Sequence, residues 1–192
     1  MIITDAVLDL KRYWSPPGSA VIPPTGWDDV SRFATHMVDG AGAAEPDWAQ
    51  SPGGLWYKDF DGNDYGQITC PQCDFTAGDF SIIVRIGFNT LAATNTFLER
   101  GAVNTSGYML QVNTTGRFYC YTSQGAANQS SITAIGSVVE GTVVTLALSR
   151  VGADIAMYID GVDATDTAGV HVDPVATTNT MKVGIRENLV SE

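Results

Sequence analysis

Basic residues are scarce in this chain of 192 residues. It has 10 Lys and Arg against 21 Asp and Glu, and its formal net charge is −11 at pH 7. Phosphate backbones bind basic surfaces, so this balance argues against nucleic acid as a partner. A cation or a positively charged protein neighbour would suit such a chain better.

Long apolar runs are also missing. No stretch reaches the roughly 20 apolar residues that a membrane-spanning helix needs, so we expect no membrane insertion. Residues 1–10 carry acids and lack the basic leader, apolar core and small-residue cleavage site of a secretory signal peptide. A chain of this length is expected to form one globular unit with a core that needs no disulfide support.

Cysteine is limited to Cys70, Cys73 and Cys120. An odd number cannot pair within one chain, which suggests a reducing place of synthesis. Cys70 and Cys73 have the spacing of half a zinc site, but a structural zinc ion needs four ligands, and only Cys120 and two histidines remain. We favour two thiols in a loop, either free or oxidised to each other.

Two Asp-Gly turns are the most informative features that the chain does contain. Residues 55–68 predict a strand, a tight turn at Asp61-Gly62 and a second strand, and residues 156–162 repeat this pattern around Asp160-Gly161. Asp-Gly between alternating apolar residues favours a β-hairpin, because Gly takes a positive φ at no steric cost. We therefore predict a hairpin at each site.

Strand-like runs separated by turns occupy most of the remaining chain. Without a long amphipathic helix, such runs predict an all-β protein built as an antiparallel β-sandwich. The predicted strands are residues 5–14, 80–86, 97–100, 107–112, 117–121, 142–150, 155–159 and 181–185.

The two Asp-Gly segments resemble the early F-D-G-x-D-Y and late Y-x-D-G motifs of the laminin G-like, concanavalin A-like jelly-roll family. The resemblance covers about residues 28–187 and implies an antiparallel β-sandwich with jelly-roll topology. It also implies a laminin G-like domain at residues 28–192, preceded by an N-terminal strand and a proline-rich arm at residues 1–27.

The proline-rich arm and a sheet edge predict contacts with other chains. Prolines prevent a helix or a central strand within residues 15–26, and an apolar tip lies between the two proline pairs. Members of the family continue for about another strand, so the resemblance implies an uncovered sheet edge. We expect contacts with other copies or with a neighbouring structural protein; the alternative is that the arm folds back on its own sandwich. The predicted interface residues are Pro16, Pro17, Val21, Ile22, Pro23 and Pro24.

Catalytic residues are missing from their expected positions. Glucanases with this fold carry an E-x-D-x-x-E pattern on one strand, and none of the five Glu of this chain lies in that pattern. His36 and His171 have no Ser or Cys partner in a recognisable nucleophile motif. We therefore predict a protein that is not an enzyme.

Two sets of residues are candidates for ligand binding. Members of the family often bind calcium at the rim of the sandwich, and Asp64 occupies the acidic position that follows the first turn. Asp61 and Asp64 are thus candidate calcium ligands, although the same residues also serve to build turns. Trp27, Trp48 and Trp56 are candidates for stacking on sugars, although tryptophan more often packs in a core or an interface.

These observations predict a non-enzymatic structural or adhesive protein of an extracellular assembly, most plausibly at a virion surface. The absence of a signal peptide and of catalytic acids, together with the proline-rich arm and the uncovered edge, supports this prediction. The alternative is a lectin-like carbohydrate-binding module, with or without calcium. The fold does not decide between them, because it serves lectins, adhesins and enzymes alike.

Overall fold

The computed structural model describes residues 37–52, 56–75, 78–102, 104–125 and 127–184. These residues form fourteen strands: β1 (Val38–Asp39), β2 (Asp47–Gln50), β3 (Trp56–Asp59), β4 (Gly66–Ile68), β5 (Phe80–Gly87), β6 (Asn95–Ala102), β7 (Ser106–Val112), β8 (Phe118–Ser123), β9 (Asn128–Thr133), β10 (Val143–Val151), β11 (Asp154–Ile159), β12 (Val162–Asp163), β13 (Thr165–Thr167) and β14 (Met181–Val183). Two short 3₁₀ turns, Gly42–Ala44 and Pro71–Cys73, lie between them. None of the helical segments in this part of the chain is long and apolar enough to cross a membrane.

Two antiparallel sheets make up the sandwich. The larger has eight strands in the order β1-β4-β14-β6-β7-β8-β9-β13, and the smaller has four in the order β12-β11-β10-β5. A separate pair, β2 and β3, accompanies them. The prediction of an all-β protein built from antiparallel sheets is therefore confirmed.

Period-two patterning places the core between the sheets. In β10, Val144, Leu146 and Leu148 are buried, whereas the alternate residues Thr145 and Ala147 are half-exposed. Successive side chains of a strand point to opposite faces, so one face of β10 meets the large sheet. The main core consists of Phe80, Phe88, Phe97, Leu110, Val112, Phe118, Cys120, Val138, Val144, Leu146, Leu148, Ile155 and Met157.

The second Asp-Gly hairpin is confirmed. Ile159 pairs with Val162, and the two residues between them both have positive φ, 49° at Asp160 and 84° at Gly161. This combination is the turn that matches the twist of a two-residue hairpin.

The first Asp-Gly hairpin is wrong in its pairing. Gly62 does have a positive φ of 104°, but β3 pairs with β2, and β4 pairs with β1 and β14. The backbone of Tyr65 explains the difference: its N–H donates to the carbonyl of Ala44 (3.2 Å), and its carbonyl accepts from Gly40 (2.7 Å). These bonds lead the chain into the large sheet before it can pair with β3.

A hydrogen-bonded group of polar side chains surrounds His171 inside the sandwich. The ring of His171 is fully buried, with Nδ1 2.8 Å from Thr122 Oγ1 and Nε2 2.9 Å from Ser131 Oγ. Arg150 donates to the carbonyl of His171 (3.0 Å) and to Asp173 (3.1 Å). Burial and the Arg150 guanidinium lower the pKa of His171 to about 4. His171 thus has a serine neighbour in space, but at a place that no substrate reaches.

Candidate functional site

Of the three predicted sugar-stacking tryptophans, the structure describes the side chain of Trp48, so stacking on sugars stays a prediction. Trp27 lies outside the described residues, and Trp56 contributes its backbone to β3. Trp48 is half-buried on β2, and the ammonium of Lys58 lies 4.7 Å from the centre of its ring. Cation–π contact of this kind supports packing within the protein.

The predicted interface residues Pro16, Pro17, Val21, Ile22, Pro23 and Pro24 also lie outside the described residues, as do the predicted strand 5–14 and His36. The prediction that the arm contacts another chain therefore stays a prediction. In the described part of the large sheet, β14 lies between β4 and β6, and the edges are β1 and β13.

A hydrogen bond between Asp61 and Asp64 closes the loop that contains the first Asp-Gly dipeptide. Asp64 is only 5% exposed, and its Oδ2 accepts the N–H of Asp61 at 2.9 Å, while the Asp61 side chain is exposed. Burial, the largest cause, and the negative charges of Asp61 and Asp47 raise the pKa of Asp64. No group of three metal-ligating side chains occurs among the described residues. The contacts of Asp64 therefore support the turn-building alternative, and calcium binding stays a prediction.

Cys70 and Cys73 form a disulfide, which is one of the two states expected for them. Cys120, the remaining thiol, is buried in the core, and burial raises its pKa to about 12. A thiolate is the reactive form, so Cys120 is inert at neutral pH. The odd number of cysteines thus reflects this core residue, and the reducing place of synthesis stays a prediction.

A shallow, open groove next to the disulfide is a candidate binding site. It lies where the turn from β6 to β7 meets the segments that precede β5 and β14, and its volume is about 380 Å³. Its lining is rich in hydroxyl groups, with one carboxylate and a small apolar patch: Asp74, Thr105, Ser106, Val175, Ala176, Thr177 and Thr178.

Backbone hydrogen bonds hold the walls of the groove in place. Val175 bridges two strands, because its carbonyl accepts from Gly107 (2.9 Å) and its N–H donates to the carbonyl of Ser123 (3.0 Å). Gly107 has a φ of 76°, and a Cβ there would collide with the carbonyl of Arg100. Only glycine allows so close a turn, so this residue determines the shape of the β6–β7 wall.

Asp74 is fixed through one of its two carboxylate oxygens. Its Oδ1 accepts the N–H of Thr177 (3.4 Å) and lies 4.0 Å from Nε of Arg100. The 3₁₀ turn closed by the disulfide ends at Asp74, whose own N–H donates to the carbonyl of Pro71 (3.2 Å). Its Oδ2 has no hydrogen-bond partner among the described residues, and Asp74 is one of the residues that line the groove.

Arg100 supports this carboxylate from behind the groove. It is only 4% exposed, and its Nη2 donates to the carbonyl of Thr177 at 3.3 Å. A buried guanidinium next to Asp74 compensates the negative charge and disfavours a metal cation at the same place. The groove is therefore suited to a neutral ligand that offers hydroxyl groups.

Another candidate surface, which is polar and aromatic, lies on the outer face of β8. The rings of Tyr119 and Tyr121 stack on each other, with centroids 5.5 Å apart and planes 4° apart. Their hydroxyls accept from the amides of Asn113 (3.3 Å) and Gln111 (3.5 Å). Because each ring covers one face of the other, this pair leaves less aromatic surface for a sugar than an open ring would. We regard the groove as the better candidate.

Sequence reasoning missed Asp74, Arg100 and the threonines of the groove. Asp74 and Thr177 are 103 positions apart, and only the fold brings them together. A signal did exist, since an acidic residue directly follows the Cys-Pro-Gln-Cys segment and a threonine-rich run precedes the last predicted strand. Neither feature by itself has a specific chemical meaning.

Comparison with known families decides the family of the chain. A model described as the concanavalin A-like lectin/glucanases superfamily matches residues 60–189, more than half of the chain. The chain belongs to this superfamily. The comparison with curated proteins gives no match.

Solved structures show the same fold at low sequence identity. The binding domain of Paraclostridial Mosquitocidal Protein 1 has 11% identity and a TM-score of 0.66, and the match covers 84% of this chain and 42% of that one. A botulinum neurotoxin type C structure, whose description states that cell entry depends on two ganglioside molecules, has 12% identity, a TM-score of 0.55 and coverage of 86% and 42%. This member of the superfamily thus spans less than half of the length of each of these structures.

Proposed function

We propose that this chain is a non-catalytic, adhesive module that binds a neutral carbohydrate in the groove beside the disulfide. The observation that carries the proposal is Asp74: it lines a groove rich in hydroxyl groups, and its Oδ1 accepts the N–H of Thr177 and lies 4.0 Å from Nε of Arg100. A fixed carboxylate oxygen accepts hydrogen bonds from sugar hydroxyls, and charge-assisted bonds are stronger than neutral ones. Membership of a superfamily described by its lectins and glucanases supports carbohydrate as the ligand class.

The chemistry of the groove favours binding over hydrolysis. Cleavage of a glycosidic bond generally requires two carboxyl groups about 5 to 9.5 Å apart. Asp74 is the single carboxylate among the residues that line the groove, and Arg100 is the charged group next to it. We expect no release of reducing sugar from β-glucans; release that disappears when one acidic residue is replaced would contradict the non-catalytic part of the proposal.

Binding is tested with an array of neutral and acidic glycans, followed by calorimetry on the best ligand. Asp74→Ala is expected to weaken binding at least tenfold, about 1.4 kcal/mol, because it removes the acceptor that faces the ligand. The matched control is Asp166→Asn, which changes an exposed carboxylate paired with Arg117 on the far edge of the large sheet. It should leave the affinity unchanged, and circular dichroism should show both variants folded.

Three results would overturn the groove as the site. The first is that no glycan binds at millimolar concentration. The second is that Asp74→Ala binds an acidic glycan more tightly, since the ligand would then be an anion held by Arg100. The third is that Trp48→Ala abolishes binding while Asp74→Ala does not, which would move the site to the predicted tryptophans. That the module works at the surface of a virion, as the sequence predicts, is tested separately by electron microscopy of particles labelled with an antibody to this chain.

A further inference from the structure

The disulfide lies directly before the residue that supplies the carboxylate of the groove. It spans one 3₁₀ turn, in which the N–H of Cys73 donates to the carbonyl of Cys70 (3.0 Å). Asp74 is the next residue, and its own N–H donates to the carbonyl of Pro71 (3.2 Å). The covalent bond thus closes the turn from which Asp74 enters the groove.

Two contacts connect this turn to the walls of the groove. On one side, the hydroxyl of the buried Tyr108 donates to the carbonyl of Cys73 (3.0 Å), and Tyr108 directly follows Gly107 of the β6–β7 wall. On the other side, Oδ1 of Asp74 accepts the N–H of Thr177 (3.4 Å). A change in the shape of the turn therefore moves Asp74 relative to both walls.

The contribution of the disulfide is local. Its two cysteines are three positions apart, and a cross-link stabilises a fold less when the loop that it closes is short. Both cysteines are 2% exposed and pack in a small apolar cluster with Met37, Ile68 and Met181. A cysteine thiol is itself a small apolar group, so this cluster accommodates the reduced pair. Reduction should thus leave the sandwich folded and change the turn alone.

We propose that the oxidation state of this disulfide controls the affinity of the groove, an inference that rests on the proposed carbohydrate binding. The reductant is a dithiol: one of its thiolates attacks a sulfur of the pair, and its second thiol resolves the mixed disulfide. Two electrons and two protons pass to Cys70 and Cys73, and the dithiol leaves as a disulfide. Two thiols cannot approach as closely as two bonded sulfur atoms, so the turn opens and Asp74 loses its fixed position.

Hydrogen exchange of the full chain without a glycan is the first test. Dithiothreitol should remove protection from the N–H groups of Asp74 and Thr177, which are bonded within the turn and to its last carboxylate. The internal controls are the N–H groups of Gly107 and Val175, which donate to Val175 and Ser123 and should stay protected. Unchanged protection of Asp74 and Thr177 would overturn the inference. So would a loss at all four groups, since the disulfide would then support the whole fold, or a disulfide that dithiothreitol does not reduce in the folded chain.

Calorimetry is the second test, with the neutral glycan that gives the strongest array signal. Reduction should weaken binding about two- to tenfold, because a mobile carboxylate must be ordered again when the glycan binds. The double variant Cys70→Ala with Cys73→Ala should bind like the reduced chain and should not respond to dithiothreitol. Cys120→Ala is the matched control, which removes the free thiol of the core and should respond like the intact chain. Circular dichroism should show that each form is folded.

The two tests separate this inference from the proposed function. If Asp74→Ala weakens binding but reduction does not, the groove binds glycans and the redox control is wrong. If no neutral glycan binds, the proposed function fails, and control of glycan affinity fails with it; the exchange measurement then decides only whether the disulfide positions Asp74. A double variant that still responds to dithiothreitol would place the effect elsewhere and overturn the inference.

Discussion

Two identical Asp-Gly dipeptides end in different structures. Asp160-Gly161 joins two strands of the same sheet, and its aspartate is bound to β10 as well: the N–H of Asp160 donates to the carbonyl of Thr145 (2.9 Å), and Oδ1 accepts the N–H of Thr145 (2.8 Å). Asp61-Gly62 leads instead from the two-stranded sheet of β2 and β3 into the eight-stranded sheet. The dipeptide thus determines where φ becomes positive, whereas the hydrogen bonds of the flanking backbone determine which strands pair.

The largest effect is expected from breaking the ion pair of Lys58 and Asp39, which joins β3 to β1 near the first dipeptide. Lys58 on β3 is buried, and its Nζ donates to Asp39 of β1 (2.7 Å) and to the carbonyl of Pro46 (2.9 Å). Removing one partner of a buried ion pair leaves the other charge uncompensated, so Lys58→Met should cost about 3 kcal/mol in the free energy of unfolding. Urea denaturation measures this loss.

The control for Lys58 is Arg117→Met, which breaks the more exposed pair with Asp166. Such pairs contribute about 1 kcal/mol or less. An equal cost for the two variants would mean that Lys58 does not hold β3 to the large sheet.

A somewhat smaller effect is expected where the first loop packs on the end of β14. Gly184 has a φ of 101°, and a Cβ there would lie 2.5 Å from Cδ1 of Phe60 and 2.7 Å from the carbonyl oxygen of Asp64. Gly184→Ala should therefore cost about 2 to 3 kcal/mol through overlap and backbone strain. Gly152→Ala, at a φ of 59° in open space, should cost only about 1 kcal/mol. Thermal unfolding of the two variants checks this difference, and equal melting temperatures would contradict it.

Replacing the glycine of each dipeptide with valine compares the two turns directly. Gly62 and Gly161 both have positive φ and open space around a Cβ, so the cost should be the strain alone, about 1 to 2 kcal/mol at each site. Hydrogen exchange should separate them. Gly161→Val should reduce the protection of the β11–β12 pair, whereas Gly62→Val should leave the pair of β2 and β3 protected. Loss of protection at β3 would indicate that the hairpin prediction was right in solution.

The smallest expected difference is between the pKa values of Asp64 and Asp163, each of which lies two residues after one of the dipeptides. Burial raises the pKa of Asp64, whereas hydrogen bonds from the N–H and hydroxyl of Thr165 lower the pKa of the exposed Asp163. Carboxyl carbon chemical shifts recorded against pH should therefore give Asp64 a pKa above 3.8 and Asp163 a pKa below it. The same order of the two values in a urea-unfolded sample would show that the fold does not cause the difference.

Local sequence predicted the strands whose apolar alternation is strong, and it failed where contacts join distant segments. The hairpin of β10 and β11 and the Asp160-Gly161 turn were evident because their side chains alternate and their turns are short. β9 was missed because its residues are polar, yet Ser131 and Thr133 are buried and bonded to His171 and to the N–H of Phe118. Asp74, Thr105 and Thr177 line the groove only because the fold brings three separate segments together.

The buried neutral ring of His171 sets a limit to the acidity that the sandwich tolerates. Its pKa is about 4 in the folded chain against 6.5 when unperturbed, so the unfolded chain takes up a proton first as pH falls. Protonation of the ring therefore has no effect on the free energy of unfolding above about pH 6.5. Between there and about pH 4 it lowers this free energy by about 3 kcal/mol. Urea unfolding at pH 7 and pH 4.5 should show the loss, and His171→Gln should remove its share of the pH dependence. A sandwich of this kind would therefore lose stability in an acidified compartment and keep it in neutral surroundings.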